Sequence, residues 1–267
     1  MQIVAPMHPR LSLKIAAVLL AALSVASCGA GKHAKRYLGD ADPNSGVARA
    51  HRLPIQGIDV AKYQGDINWP QVRRSGIRFA YLKVSEGGDH VDSKFYDNWE
   101  QAAAAGVPRG AYHFMYWCRT WTEQAVWFTT AVPQDQSALP PVLDLEWNNE
   151  SKTCPTRPSR DDALQGIRVM LSAMEQHTGK RPVIYTDINF YRDILQGEFP
   201  DYQYWLRSVS AEPKDRYAGQ PWAVWQYTAT GRVAGVPGSV DRNAFNGSES
   251  AWRQWLKVNG VPGWKSF

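Results

Sequence analysis

The 267-residue chain has only three cysteines and no internal repeat. It also lacks an apolar run of the roughly 20 residues that a mature membrane-spanning helix needs. No Lys/Arg cluster is interleaved with aromatics, which argues against nucleic-acid binding. The formal net charge is a mild +5. Part of it comes from Arg10 and Lys14, in an N-terminus with no acid before residue 28. The acids of the central region have no histidine beside them. Carboxylates alone would favour Ca²⁺ or Mg²⁺ over zinc. What the chain has in quantity is apolar residues, at 44%, and 12 tryptophans. A substantial core is therefore available. Aromatic rings near acids pack a core, and they also suit the apolar faces of sugars.

His8, Arg10 and Lys14 precede the apolar run Ile15 to Val25, and "ASCGA" follows it. A basic region, a short apolar region and small residues make a secretion signal. "VASC" resembles a bacterial lipobox, in which Cys28 would become the lipidated first residue. An ordinary signal cleaved near Ala30 is the alternative. Lipidation would hold the body on the non-cytoplasmic side of a membrane. Gly29 in place of Asp favours the outer membrane if the cell has two. Residues 29–53 are polar, rich in Gly, Ala and Pro, and without apolar period, which reads as a flexible tether. The barrel domain is then expected over 54–267. Cys118 and Cys154 remain, an even pair in an oxidising compartment, which points to one disulfide rather than two buried thiols.

From residue 54 strands and helices alternate. Strands are expected at 55–60, 78–86, 108–117, 139–147 and 181–187. Helices follow them, with Pro70 in the first turn of one and Gly106 and Gly179 as stops. Three further strands, 202–210, 221–228 and 239–245, have no long helix between them. The pattern implies a parallel sheet closed into an eight-stranded, TIM-like (β/α)5(β)3 barrel with incomplete helical cover. A tail with Trp252, Trp255 and Leu256 at helical spacing is expected to pack one amphipathic helix on the barrel.

In such a barrel the functional site lies at the strand ends. Side chains alternate along a strand, so Asp144 and Glu146 in "PPVLDLEW" share the inward face while Leu143 and Leu145 face out. Their Cα atoms are about 6.5 Å apart. Asp59 ends the first strand, and Asp241 lies near the start of "VDRNAF". Tyr81, Lys83 and Tyr112 should also point inward, with His113 outward. Cys118 and Cys154 fall in the loops after neighbouring strands, at one rim. Four converging carboxylates repel one another, so at least one should hold a proton near neutral pH. Glycoside cleavage uses such a set: one acid to protonate the leaving oxygen, others to stabilise charge at the anomeric carbon or to activate a nucleophile. A Ca²⁺ or Mg²⁺ site, or separate solvated loop acids, are the competing readings.

The segments "GIDVAKYQGDINW", "KVSEGGDHVDSKFYDNW", "AAGVPRGAYHF", "PPVLDLEW", "VIYTD", "VWQYT" and "VDRNAF" resemble, in order, the glycoside hydrolase family 25 lysozymes, over about residues 55 to 247. The resemblance implies an eight-stranded barrel and hydrolysis of the β-1,4 bond between N-acetylmuramic acid and N-acetylglucosamine in peptidoglycan. It implies Glu146 as general acid, Asp144 as its partner, and Asp59 and Asp241 as flanking carboxylates. Tyr112 is similar to the family's inward tyrosine. Tyr81, Trp147, Lys83 and Gln226 join Tyr112 as expected substrate contacts. "KVSEGG" departs from the commoner "KATEG", and the loop holding Cys154 looks longer than usual. The expected partners are glycan strands and, through Cys28, a membrane; the chain is expected to act as a monomer, with no metal or cofactor. The rival functions are a chitinase-like glycosidase and a wall-binding lipoprotein without catalysis. Chitinases carry a longer Asp-x-x-Asp-x-Asp-x-Glu run, and here Leu139 and Val142 stand where two of its acids would.

Overall fold

The computed structural model describes residues 1–2, 44–217 and 219–261. Cys28, with nearly all of the leader and of the tether up to residue 43, lies outside them. Eight strands close into one barrel: β1 (Gln56–Val60), β2 (Ile77–Glu86), β4 (Arg109–Phe114), β5 (Val142–Leu145), β6 (Val183–Thr186), β7 (Gln203–Arg207), β8 (Val224–Gly231) and β9 (Val240–Phe245). A two-residue strand, β3 (His90–Val91), folds back on β2. Pairing is parallel from β1 through β8. The last strand is different: β9 runs antiparallel to both β8 and β1. The connection 232–239 is too short for the crossover of a dozen or more residues that a parallel neighbour requires, so the chain turns back as a hairpin.

Four helices fill the first crossovers: α1 (Trp69–Arg74), α2 (Phe95–Ala104), α3 (Trp121–Ala131) and α4 (Arg160–Thr178). The fifth crossover is α5 (Ile188–Phe190), which runs on into a π turn at Tyr191–Leu195. The helix ends follow local chemistry. Ser159 caps α4 by accepting from the Asp162 N–H, and Gly179 stops it at φ 69°, a left-handed conformation that costs glycine nothing.

Two-residue alternation divides the strands between two cores. Ile58, Val60, Ala80, Leu82, Leu143, Leu145, Ile184 and Leu206 face outward and pack with helix residues such as Trp99, Phe128, Ile167 and Met170. Phe79, Tyr81, Val142, Val183, Trp205, Val224 and Phe245 fill the inside. The Phe79 ring lies where a Cβ on Gly57 would be, so the glycine in β1 makes room for the aromatic filling. The end of the barrel is plugged by α6 (Glu249–Val258), whose Trp252 and Leu256 are buried with Phe79 and Phe245, as its amphipathic spacing implies. Burying each contributes roughly 1.5–3 kcal/mol.

A bulge interrupts the alternation. On β2, Lys83 pairs with Tyr112, and Ser85 pairs with the next residue, His113, so Val84 is the extra residue. Bulges re-aim side chains. Ser85 turns outward to meet the buried His113 Nδ1 at 2.9 Å, and Glu86 turns to the side of Lys83, with which it forms an ion pair.

The outer faces of β8 and β9 have no crossover helix over them. Residues 44–53 cover them instead. Read from the sequence as the end of a flexible tether, they form two 3₁₀ turns, Ser45–Val47 and Ala50–Arg52. Val47 and Ala50 are buried against Trp225, Tyr227 and Ala244. Gln56 ties the arrangement down by donating to the carbonyls of Ala50 and Leu53 and accepting from the Tyr227 hydroxyl at 2.6 Å. The packed body thus begins by Asn44.

Cys118 and Cys154 form the disulfide, with Cα atoms 5.4 Å apart and a sequence separation of 36. It fastens the loop after β4 to the loop after β5. Closing a loop of that length in the unfolded chain is worth on the order of 4 kcal/mol at most. The double variant C118A/C154A is expected to lose about 2–4 kcal/mol, read as a lower midpoint in urea with a steeper slope, because the unlinked unfolded chain exposes more surface. An unchanged midpoint would show that the bridge does not hold these loops.

Candidate active site

Every barrel strand sends at least one polar side chain to the same opening. Asp59 comes from β1, Lys83 from β2, Tyr112 from β4, Asp144 from β5, Tyr185 from β6, Arg207 from β7, Gln226 from β8 and Asp241 from β9. Glu146 and Asp187 lie just past the ends of β5 and β6. Together they line a cavity of about 690 Å³. Its outer wall is the segment Trp147 to Ser151, which the disulfide backs directly: Cys154 N–H donates to Ser151 Oγ at 3.0 Å. The reversal of β9 matters here. Asp241 is near the start of its strand, and only an antiparallel strand brings its start to the rim where the parallel strands end. Asp241 is paired in register with Asp59 across the β1–β9 seam.

Of the nine residues expected at the site, Tyr81 alone is absent from the cavity wall. It is 1% exposed and lies a layer below Lys83, with its ring 5.0 Å from that of Trp205. The inward direction is as expected, but the depth is not: two residues further down a tilted strand is already inside the apolar filling. Lys83, Tyr112, Trp147 and Gln226 do line the opening, as do the four acids. Trp147 donates its indole N–H to Asp193 at 2.7 Å and packs on Phe190. Asp187, Tyr185, Trp205, Arg207 and Asn243 were not singled out from the sequence. The alternation that exposed Asp144 and Glu146 applies equally to "VIYTD" and "YWLR", which end β6 and β7.

The carboxylates are held in different states. Asp59 is the most supported. Asn243 Nδ2 donates to it at 2.7 Å and Gln226 Nε2 at 3.1 and 3.3 Å. Burial pushes its pKa up and these two amides pull it back, leaving it at about 6. Glu146 is raised to about 7 by burial and by the charge of Asp187, against the opposing pull of Arg207. Asp241 is raised to about 8 by burial and by facing Asp59. Asp144 is pushed well above the usual carboxylate range by burial and by Glu146. It is 8% exposed, and its Oδ1 has no hydrogen-bond partner. Such an atom is costly to leave charged and unpaired, and burial favours a proton on this carboxyl. At neutral pH the site therefore combines ionised and protonated carboxyls.

The chain matches the family model for glycosyl hydrolases family 25 over residues 58–236. It is 35% identical over 228 residues to Lysozyme M1 of Streptomyces globisporus, covering 82% of this chain and 77% of that one. Among solved structures, it is similar to a family 25 glycosyl hydrolase from Bacillus anthracis, with a TM-score of 0.70 and 33% identity over 76% of this chain and 94% of that one. It is likewise similar to a bacterial lysozyme from Streptomyces coelicolor, with a TM-score of 0.68 and 36% identity over 78% of this chain and 98% of that one.

The raised acids have a consequence for stability. A carboxyl whose folded pKa exceeds its unfolded value binds its proton more tightly when folded. Its ionisation therefore opposes folding, and the penalty grows as pH rises from about 4 through the folded pKa. For Asp241 that window runs from the ordinary value of 3.8 to about 8. Asp241→Asn is expected to raise stability at pH 8 by at most about 5 kcal/mol and to leave it nearly unchanged at pH 4. Denaturant melts at the two pH values test this; an equal effect at both would mean that Asp241 carries no strained charge.

Proposed function

The chain belongs to glycosyl hydrolase family 25, and from that premise we propose that it is a lysozyme, cleaving the β-1,4 bond between N-acetylmuramic acid and N-acetylglucosamine in peptidoglycan. The observation that carries this reading is the meeting of Asp59, Asp144, Glu146 and Asp241 in one cleft, with Glu146 raised to about 7. A protonated Glu146 gives its proton to the departing glycosidic oxygen. Asp59 stays ionised under its two amide donors and stabilises positive charge growing at the anomeric carbon. Asp144 lines the cleft with a carboxyl that burial and Glu146 keep protonated, so it can donate a hydrogen bond to the substrate. Burial of the set strengthens each of these electrostatic effects relative to water. Trp147 and Tyr112 offer ring faces to the sugars.

The leader adds a location. Its basic start, short apolar run and "VASC" support export and lipidation at Cys28, which would tether a monomeric enzyme to the non-cytoplasmic face of a membrane, within reach of the wall. Radiolabelled palmitate incorporation that disappears in Cys28→Ala would establish the anchor.

Glu146→Gln is expected to lower kcat on purified peptidoglycan by 10²–10⁴-fold, the usual worth of a general acid, with little change in KM. The wild type's rate should fall as pH rises past about 7, where Glu146 gives up its proton. Release of reducing ends measures both. Full activity in the variant would remove Glu146 from its role, and binding without turnover by the wild type would make the chain a wall-binding protein.

A further inference from the structure

Two cations line the cleft, Lys83 and Arg207. They differ in what holds them. Lys83 is ion-paired with Glu86, and its ammonium lies 5.1 Å from the centre of the Phe114 ring. Arg207 is at the end of β7, two residues beyond Trp205 on the inward face, and is half-buried. Among the described residues its guanidinium forms no ion pair and donates no hydrogen bond. Elsewhere in the fold arginines are commonly satisfied at short range: Arg109 by Asp135 and the Trp99 carbonyl, Arg160 by Glu198, and Arg119 by Asp89 and Glu123. Arg207 is surrounded by acids that act on it only at longer range. Glu146, Asp241 and Asp187 keep it firmly charged, and it in turn restrains the pKa of Asp59 and Glu146.

A half-buried guanidinium has given up part of its hydration, and its five donors make a planar fork that matches a carboxylate. Leaving that fork unused in a cavity of about 690 Å³ is costly unless something enters to use it. The substrate class carries suitable groups. Each muramic acid bears a lactyl ether that ends in a carboxyl, either free or amide-linked to a peptide stem with carboxyls of its own. An opening lined by six acids would otherwise repel such a chain.

We propose that Arg207 is a specificity-determining residue that binds a carboxylate of the muramyl side group, making the cleft select anionic glycan over neutral β-1,4-linked amino sugars. The inference rests on the lysozyme reading, and it adds to that reading a residue and the chemical group it takes.

The test compares the wild type, Arg207→Gln and Arg207→Lys on two purified glycans, one with peptide stems and one stripped of them by an amidase. Each is used as isolated and after its carboxyls have been converted to amides with carbodiimide and ammonia. The wild type should prefer the carboxylate form, and that preference should fall by at least tenfold in Arg207→Gln, through KM more than kcat. Arg207→Lys, keeping the charge without the fork, should fall between them. A loss confined to the stem-bearing glycan assigns the group to the stem; a loss confined to the stripped glycan assigns it to the lactyl carboxylate; a loss on both means that Arg207 takes either one. Equal losses on native and amidated glycan, with the rate profile moved along the pH axis, would overturn the proposal and make Arg207 a group that only tunes the acids. Failure of the wild type on every glycan would instead sink the lysozyme reading.

Discussion

The closed barrel forces a choice on every second side chain. One face of each strand is sealed, under helices or, at β8 and β9, under residues 44–53, and the other has only the interior, which is filled with aromatics at one end and open at the other. A polar residue placed inward near a strand end can go nowhere but the mouth, and there it loses much of its water. That constraint brings Asp59, Asp144, Glu146 and Asp241 together without any of them being adjacent to another in sequence except at a spacing of two. It is also why burial is the largest influence on the pKa of each. The chemistry follows from the packing: the same desolvation that strains the charged forms leaves Glu146 holding a proton.

Differences among the acids come from a second layer of hydrogen bonds. Gln226 and Asn243 each have an amide whose orientation is fixed from behind. Tyr185 donates to Gln226 Oε1 at 2.8 Å, and the Trp205 indole donates to Asn243 Oδ1 at 2.9 Å. With both oxygens occupied, both NH₂ groups point at Asp59. Asp144, one strand pair away, has no comparable support on its Oδ1. Two carboxyls in one cavity are thus driven apart in character by what stands behind them.

Much of this was legible in the sequence, because period-two alternation is a local property. The inward acids, Lys83 and Tyr112, the outward Leu143, Leu145 and His113, and the amphipathic C-terminal helix could all be placed from spacing alone. The direction of β9 could not be read from a strand pattern, which looks the same either way; the shortness of 232–239 was the available clue. The bulge at Val84 carries no sequence mark in a run of strand-forming residues. Residues 44–53 bury only Val47 and Ala50, too few to make a period. The Trp205–Asn243–Asp59 chain links three strands, so no segment read alone contains it. Arg207 lay in plain view at the end of "YWLR" but without a second charge nearby in sequence to draw notice.

The β1–β9 seam joins the first strand of the barrel to the last. Asp59 obtains its shortest hydrogen bond from Asn243, 184 positions later in the chain, and its facing acid from Asp241. A chain made from its N-terminus contains Asp59, Asp144 and Glu146 well before it contains β9. Until the closing hairpin docks, the barrel is an open sheet, its acids remain hydrated, and Glu146 titrates as an ordinary carboxyl. The complete acid cluster therefore arrives only with the final strand, and a chain clipped before β9 lacks both Asp241 and the Asn243 that supports Asp59.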